Sequence, residues 1–197
     1  MVRRRTGDKD KQIVDASISL FLERGIRGST IQAIAKKAGI AVGTVYVYHK
    51  DKAAIVRRVA FAFAERHDAF VASVLSRQRK PGRKLMDYLL GFYDIWRPFG
   101  KNTKGALELA EAVLKHAPET LGIAQDTFLG ALASILEEAK AAGLQVNQPK
   151  VEARWLALCT SAFFPLAGTP TEHPMRKELE RKDLEDLLKW YLKKIGN

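Results

Sequence analysis

Apolar side chains recur at spacings of three and four along nearly the whole chain, and no stretch alternates with period two over a strand's length. This periodicity predicts an all-α protein of about nine helices. The first, over about 9–24, lines Ile13, Ala16, Leu20 and Phe21 along one face and stops at Gly25. Ile31, Ile34, Ala35 and Ala38 then follow i, i+3, i+4, i+7, and Gly39 stands where a left-handed residue ends a helix without a Cβ clash. A second short helix occupies 42–48. Asp51 opens a long helix to about 79, broken by Pro81-Gly82. Four more helices are expected over about 83–96 (ended by Pro98 and Gly100), 104–115, 119–142 (ended at Gly143) and 149–166. A loop with Pro170 and Pro174 precedes a last one over about 175–195.

The stretch 30–52 carries the most chemistry. Two short helices hinged at a glycine, with lysines on both flanks, are the form of a helix-turn-helix, which lays its second helix in the major groove of DNA. The second helix contains Gly43, which costs about 1 kcal/mol relative to alanine on a helix surface. Close approach of the backbone to another molecule is one reason to tolerate that loss. On this helix Gly43, Tyr46 and Val47 share a face, Thr44 borders them, and Val45 is expected to turn inward toward Ile34.

Between residues 13 and 55 the chain resembles the tetracycline-repressor (TetR) family of bacterial transcription regulators. The resemblance rests on Ala16, Leu20-Phe21, Gly25, Gly28, Thr30, Ile34-Ala35, Ala38-Gly39-Ile40, Gly43-Thr44-Val45-Tyr46, Tyr48 and Lys52. Three positions depart from the family's habit: Ala41 stands for a serine that caps the recognition helix, His49 for a phenylalanine, and Ala53 for an acidic residue. Loss of such a cap costs about 1 kcal/mol.

The resemblance implies a three-helix DNA-binding domain over 1–52, with its motif at about 30–49, and a larger helical ligand-binding and dimerisation domain over 53–197. Family roles transferred by position make Val42, Gly43, Thr44 and Val47 candidates for base-edge contacts, small and apolar groups suiting the thymine methyl. Gln32 corresponds to a base-reading position in some relatives. Tyr46, Tyr48 and Thr30 would bond phosphates through their hydroxyls. Lys52 would add its ammonium, and the amides of the helix it opens, to a phosphate. Arg3, Arg4 and Arg5 form a basic arm that could reach a minor groove or stay in solvent.

The larger domain is expected to take a small-molecule effector. Tyr88, Phe92, Trp96, Phe99, Phe128, Trp155 and Phe163 could line an apolar pocket, or fill a core, in which case the regulator lacks a small ligand or answers to a protein partner. Lys104, Glu108, Glu111 and Lys115 follow i, i+4, i+7, i+11 and read as a solvated stripe of ion pairs. The segment 151–164 is apolar on more than one side, so it must be buried twice. A homodimeric four-helix bundle, as in the family, would do this with Trp155, Leu158, Ala162, Leu184, Leu188 and Tyr191 at the interface.

Charge agrees with nucleic acid as partner. Residues 1–52 hold 11 lysines and arginines against 5 acids, while the other 145 residues hold 22 against 17. Positive charge is therefore densest at the motif, as attraction to phosphates requires; the resemblance implies a palindromic operator in double-stranded DNA. Four scattered histidines, no paired metal-ligand spacing and no phosphate-binding, dinucleotide or nucleophile-elbow motif argue against an enzyme, a metal site or a cofactor. The one cysteine, Cys159, excludes an internal disulfide framework and is expected to be a buried thiol in a reducing cytoplasm. No apolar run is long enough to span a bilayer.

Overall fold

The computed structural model describes residues 6–101, 103–164 and 179–196. Among them are nine α-helices and no strand: α1 (Thr6–Arg24), α2 (Ile31–Ala38), α3 (Val42–Tyr48), α4 (Lys52–Leu75), α5 (Pro81–Lys101), α6 (Thr103–His116), α7 (Glu119–Ala141), α8 (Pro149–Thr160) and α9 (Arg181–Gly196). A 3-10 turn at Ser161–Phe163 extends α8. The basic arm at 3–5 and the loop at 168–174 lie outside the described residues.

Three helix ends are set by left-handed glycines, Gly25 at φ +74°, Gly39 at +67° and Gly143 at +87°. Two starts use an acid in the first turn reaching back to amides before the helix. Glu152 Oε1 accepts from the N–H groups of Asn147 and Gln148, at 2.8 and 3.2 Å, and Asp183 Oδ2 accepts from Glu180 N–H at 2.7 Å.

Several boundaries differ from those expected: α1 already begins at Thr6, and α8 ends at Thr160 rather than near 166. The helix α4 ends at Leu75 rather than near 79, where Ser73 and Ser76 turn their hydroxyls onto the Phe70 and Ser73 carbonyls and compete with the main-chain ladder. Pro81 opens α5 instead of only closing a loop, because its ring already holds a helical φ and its missing N–H would be an orphan there. The same helix continues through Pro98 and Gly100 to Lys101. A proline removes one bond, here to the Asp94 carbonyl, yet its own φ of about −65° remains helical. Finally, α9 begins at Arg181, since 179–180 are not helical; 175–178 lie outside the described residues.

The chain divides into two compact units. The first takes α1, α2, α3, the start of α4 to Glu65, and α6. Its core is Ile13, Leu20 and Phe21 of α1, Ile34 and Ala35 of α2, Val45 of α3 and Ile55, Val56 and Val59 of α4. The second unit takes the rest of α4, all of α5, most of α7, and all of α8 and α9. Leu85, Leu89, Leu132, Ile135, Leu136, Leu184 and Leu188 are fully buried at its centre.

A histidine lies within that second core. His67 Nε2 and the Tyr88 hydroxyl are 3.2 Å apart, and the rings of Phe92 and Phe128 lie 5.0 and 6.5 Å from the imidazole. Burial holds the His67 pKa below its ordinary value, although the neighbouring Asp68 carboxylate works in the opposite direction. The unfolded chain therefore takes up this proton at a higher pH than the folded one. The contribution to stability is whole above the unfolded value of about 6.5 and declines as pH falls through it toward the lower folded value. Urea unfolding at pH 7.5 and 5.5 should show a loss that His67→Leu abolishes, with a limiting slope of about 1.4 kcal/mol per pH unit. An unchanged pH dependence in that variant would contradict the assignment.

Candidate nucleic-acid interface

The two motif helices are built as a rigid pair with one face left open. Thr30 caps α2, its Oγ1 accepting from Ala33 N–H at 3.1 Å, and Gly39 N–H closes the other end on the Ala35 and Lys36 carbonyls. The helix α3 has no side-chain cap at Ala41. It is held instead by Val45, which is fully buried together with Ile34. With Val45 turned inward, the opposite side of a seven-residue helix must face solvent. Val47 is 81% exposed and Tyr46 50%, unusual for such side chains. Gly43 is exposed as well, and a Cβ added there would meet nothing within 4 Å, so this unit's packing does not require a glycine.

The other candidate contacts differ in exposure. Thr30 and Gln32 are exposed at the start of α2; Val42, Thr44 and Tyr48 are half-buried. Lys36 is exposed, whereas Lys37 pairs with Glu23 of α1 at 2.6 Å, which holds that carboxyl below its usual range. Lys52 is engaged inward. Its Nζ donates to the carbonyls of Ile26 and Ser29 at 2.8 and 3.1 Å, and so fastens the α1–α2 turn to the start of α4. An amide of the first turn of α4 is also taken, Ala54 N–H donating to Asp51 Oδ1 at 2.7 Å.

Two features of this unit were not foreseen from the sequence. His49, buried at the end of α3, places Nε2 2.9 Å from Asp10 Oδ1 of α1, and Asp10 Oδ2 accepts from Arg58 Nε of α4 at 3.0 Å. The imidazole that replaces an aromatic ring thus ties α3 to α1. Glu108 of α6, expected on a solvated stripe, is half-buried and accepts from Arg27 N–H in the α1–α2 turn at 3.1 Å. Only tertiary folding brings these partners together, 39 and 81 residues apart.

In the second unit, three candidate pocket residues pack on one another. Tyr88, Phe92 and Phe128 have ring centroids 4.8–6.2 Å apart, joined by Phe164 at 4.9 Å and Trp96 at 5.9 Å from Phe92. Phe163 is half-buried against the same core, the side chain of Phe99 lies outside the described residues, and Trp155 is 60% exposed on α8. A cleft of about 390 Å³ lies elsewhere in this unit, lined by Phe70, Met86, Leu90 and the paired charges Arg83, Asp87 and Arg181. Of the proposed interface residues, Leu158 is 71% exposed and Ala162 is exposed. Leu184 and Leu188 are fully buried in this unit's own core, and Tyr191 donates to Glu152 Oε2 at 3.0 Å. Cys159 corrects the expectation of a buried thiol. The inward positions of α8 are Ala153, Leu156 and Thr160, so Cys159 belongs to the outward stripe with Trp155, Leu158 and Ala162.

A buried-backed recognition helix on a three-helix scaffold defines the class: a helix-turn-helix protein. Residues 13–59 match the family of bacterial regulatory proteins, tetR family. The chain is 46% identical over 44 residues to the fatty acid metabolism regulator protein of Bacillus subtilis (strain 168), covering 22% of this chain and 23% of that one. It is 32% identical over 71 residues to the HTH-type transcriptional regulator TtgR of Pseudomonas putida, 34% of each chain. These matches thus span about a third or less of the curated relatives. Over 94% of both chains the fold is similar to that of a TetR-like transcriptional regulator from Rhodococcus sp. RHA1, with a TM-score of 0.62 and 22% identity, a likeness of fold alone. Among the described residues no helix is long and apolar enough to cross a membrane.

Proposed function

We propose that the protein is a sequence-specific, DNA-binding transcriptional repressor that works as a homodimer on a palindromic operator. The observation that carries this reading is α3: Val45 anchors it from behind while Gly43, Tyr46 and Val47 stand open in front. Gly43 lets the backbone approach a groove, Val47 and Val42 suit thymine methyls, and Thr44 can bond a base or a phosphate. Tyr46, Tyr48 and Thr30 supply hydroxyls for phosphates, and Gln32 an amide for an adenine edge. Lys52 acts mainly by holding the α1–α2 turn beneath Thr30.

Dimerisation would cover the outward stripe of α8, Trp155, Leu158, Cys159 and Ala162, together with Trp190 of α9, which is 58% exposed. Large apolar side chains in such a row are the surface a partner copy removes from water. Release from the operator by a small molecule follows the family's habit. Against it, the interlocked rings of Tyr88, Phe92, Phe128 and Phe164 support the alternative, a regulator controlled by a protein partner or by no ligand. The metabolic role in the Bacillus subtilis relative's name rests on a match over 44 residues and does not identify an effector here.

Selection of bound duplexes from a random pool tests the central reading. Expected is an enriched palindrome with two half-sites one helical turn or a multiple apart. Enrichment of nothing beyond general duplex affinity would refute it.

A further inference from the structure

Residues 25–29, between α1 and the cap of α2, are gripped by side chains of opposite charge from two other helices. From α4, the Lys52 ammonium takes the Ile26 and Ser29 carbonyls. From α6, the Glu108 carboxylate takes the Arg27 N–H and lies against Gly25, whose left-handed backbone ends α1. Within the turn itself, Ser29 Oγ donates to the Gly25 carbonyl at 2.7 Å. One helical turn before Glu108, Gly105 rests on the last turn of α1, and a Cβ there would come within 2.6 Å of the Phe21 and Leu22 carbonyl oxygens. The far end of α6 is tied as well, Arg57 Nη1 of α4 donating to the His116 carbonyl at 3.0 Å. The turn leads directly into Thr30, the cap of α2, and so to the hinge at Gly39 and to α3. Its placement therefore decides where the recognition helix stands relative to α1.

We infer that Glu108, remote in sequence from the motif, is a positioning residue for DNA recognition. Its carboxylate fixes the α1–α2 turn by accepting from Arg27 N–H, and α6 is thereby a working part of the DNA-binding unit. The inference rests on the DNA-binding reading above. Glu108 touches no base or phosphate, and electrostatics alone makes the opposite prediction: deleting an acid near a polyanion should tighten binding to every duplex. A specific loss on deletion therefore reports position.

The test uses the full chain, the palindrome selected by the wild type and a random duplex of equal length, below the melting temperature of every variant. Glu108→Ala should weaken palindrome binding by about ten-fold, the scale of a lost hydrogen bond to a charged group, while random-duplex affinity holds or rises. Amide exchange at Arg27 should quicken. Glu108→Gln, which keeps an acceptor oxygen but no charge, should recover most of the palindrome affinity. Palindrome binding by Glu108→Ala equal to that of the wild type would overturn the inference, even if the variant melts earlier. So would equal gains on both duplexes. A wild-type chain that enriches no duplex sinks the DNA-binding reading itself, an outcome seen before any variant is made.

Discussion

Val47→Glu should abolish specific DNA binding and leave the fold intact. Val47 is 81% exposed, so nothing buried is lost, and substitutions at such positions move stability by no more than about 0.5 kcal/mol. At the proposed interface the same change would remove an apolar contact with a base edge, worth about 1–3 kcal/mol of discrimination. It also brings a carboxylate to a surface lined by phosphates, where attraction is the main source of affinity. Together these amount to about 3 kcal/mol or more, a loss of at least about a hundred-fold in affinity. Fluorescence anisotropy on the selected palindrome, paired with a thermal melt, checks both halves. If affinity survives, the open face of α3 is not the reading face.

In the proposed homodimer, Leu158→Glu should separate the two copies without unfolding either. Leu158 is 71% exposed on the outward stripe of α8, while the inward positions that hold α8 to its own unit remain unchanged. A carboxylate from each copy would meet at a desolvated interface without a partner, which costs several kcal/mol. Sedimentation velocity at micromolar concentration should show a monomer. Because two linked half-sites gain about 10²–10⁴ in avidity, palindrome affinity should fall by that order while affinity for an isolated half-site stays close to the wild type's. A variant that still sediments as a dimer would place the interface elsewhere.

The helices were legible wherever local signals agreed. Ile31, Ile34, Ala35 and Ala38 mark one face of α2, and Gly39 stops it where a left-handed residue was expected. The inward turn of Val45 follows from the same periodicity. Pro98 misled because a proline signals a break, whereas a long helix can lose one main-chain bond and continue. Cys159 misled because an apolar run reads as core on every side, and sequence does not say which of two apolar stripes faces inward. The engagements of Lys52, His49 and Glu108 were hidden for a different reason. Each is one end of a bond whose other end lies tens of residues away, at 23, 39 and 81 respectively. For a lysine at a helix start, proximity to DNA and proximity to a carbonyl look the same in one dimension. The aromatic cluster was legible as a set of rings, but neither His67 nor Phe164 announced that it would complete the packing.

The unit that carries the motif is discontinuous: α6 belongs to it although α5 intervenes in the chain. Modular exchange is constrained as a result. A chimaera that grafts the first 65 residues onto a foreign regulatory body would leave behind the helix that braces them, and would inherit whatever side chains the new body presents at those sites. Shuffling heads between such regulators therefore succeeds only where donor and recipient agree at a seam well beyond the motif.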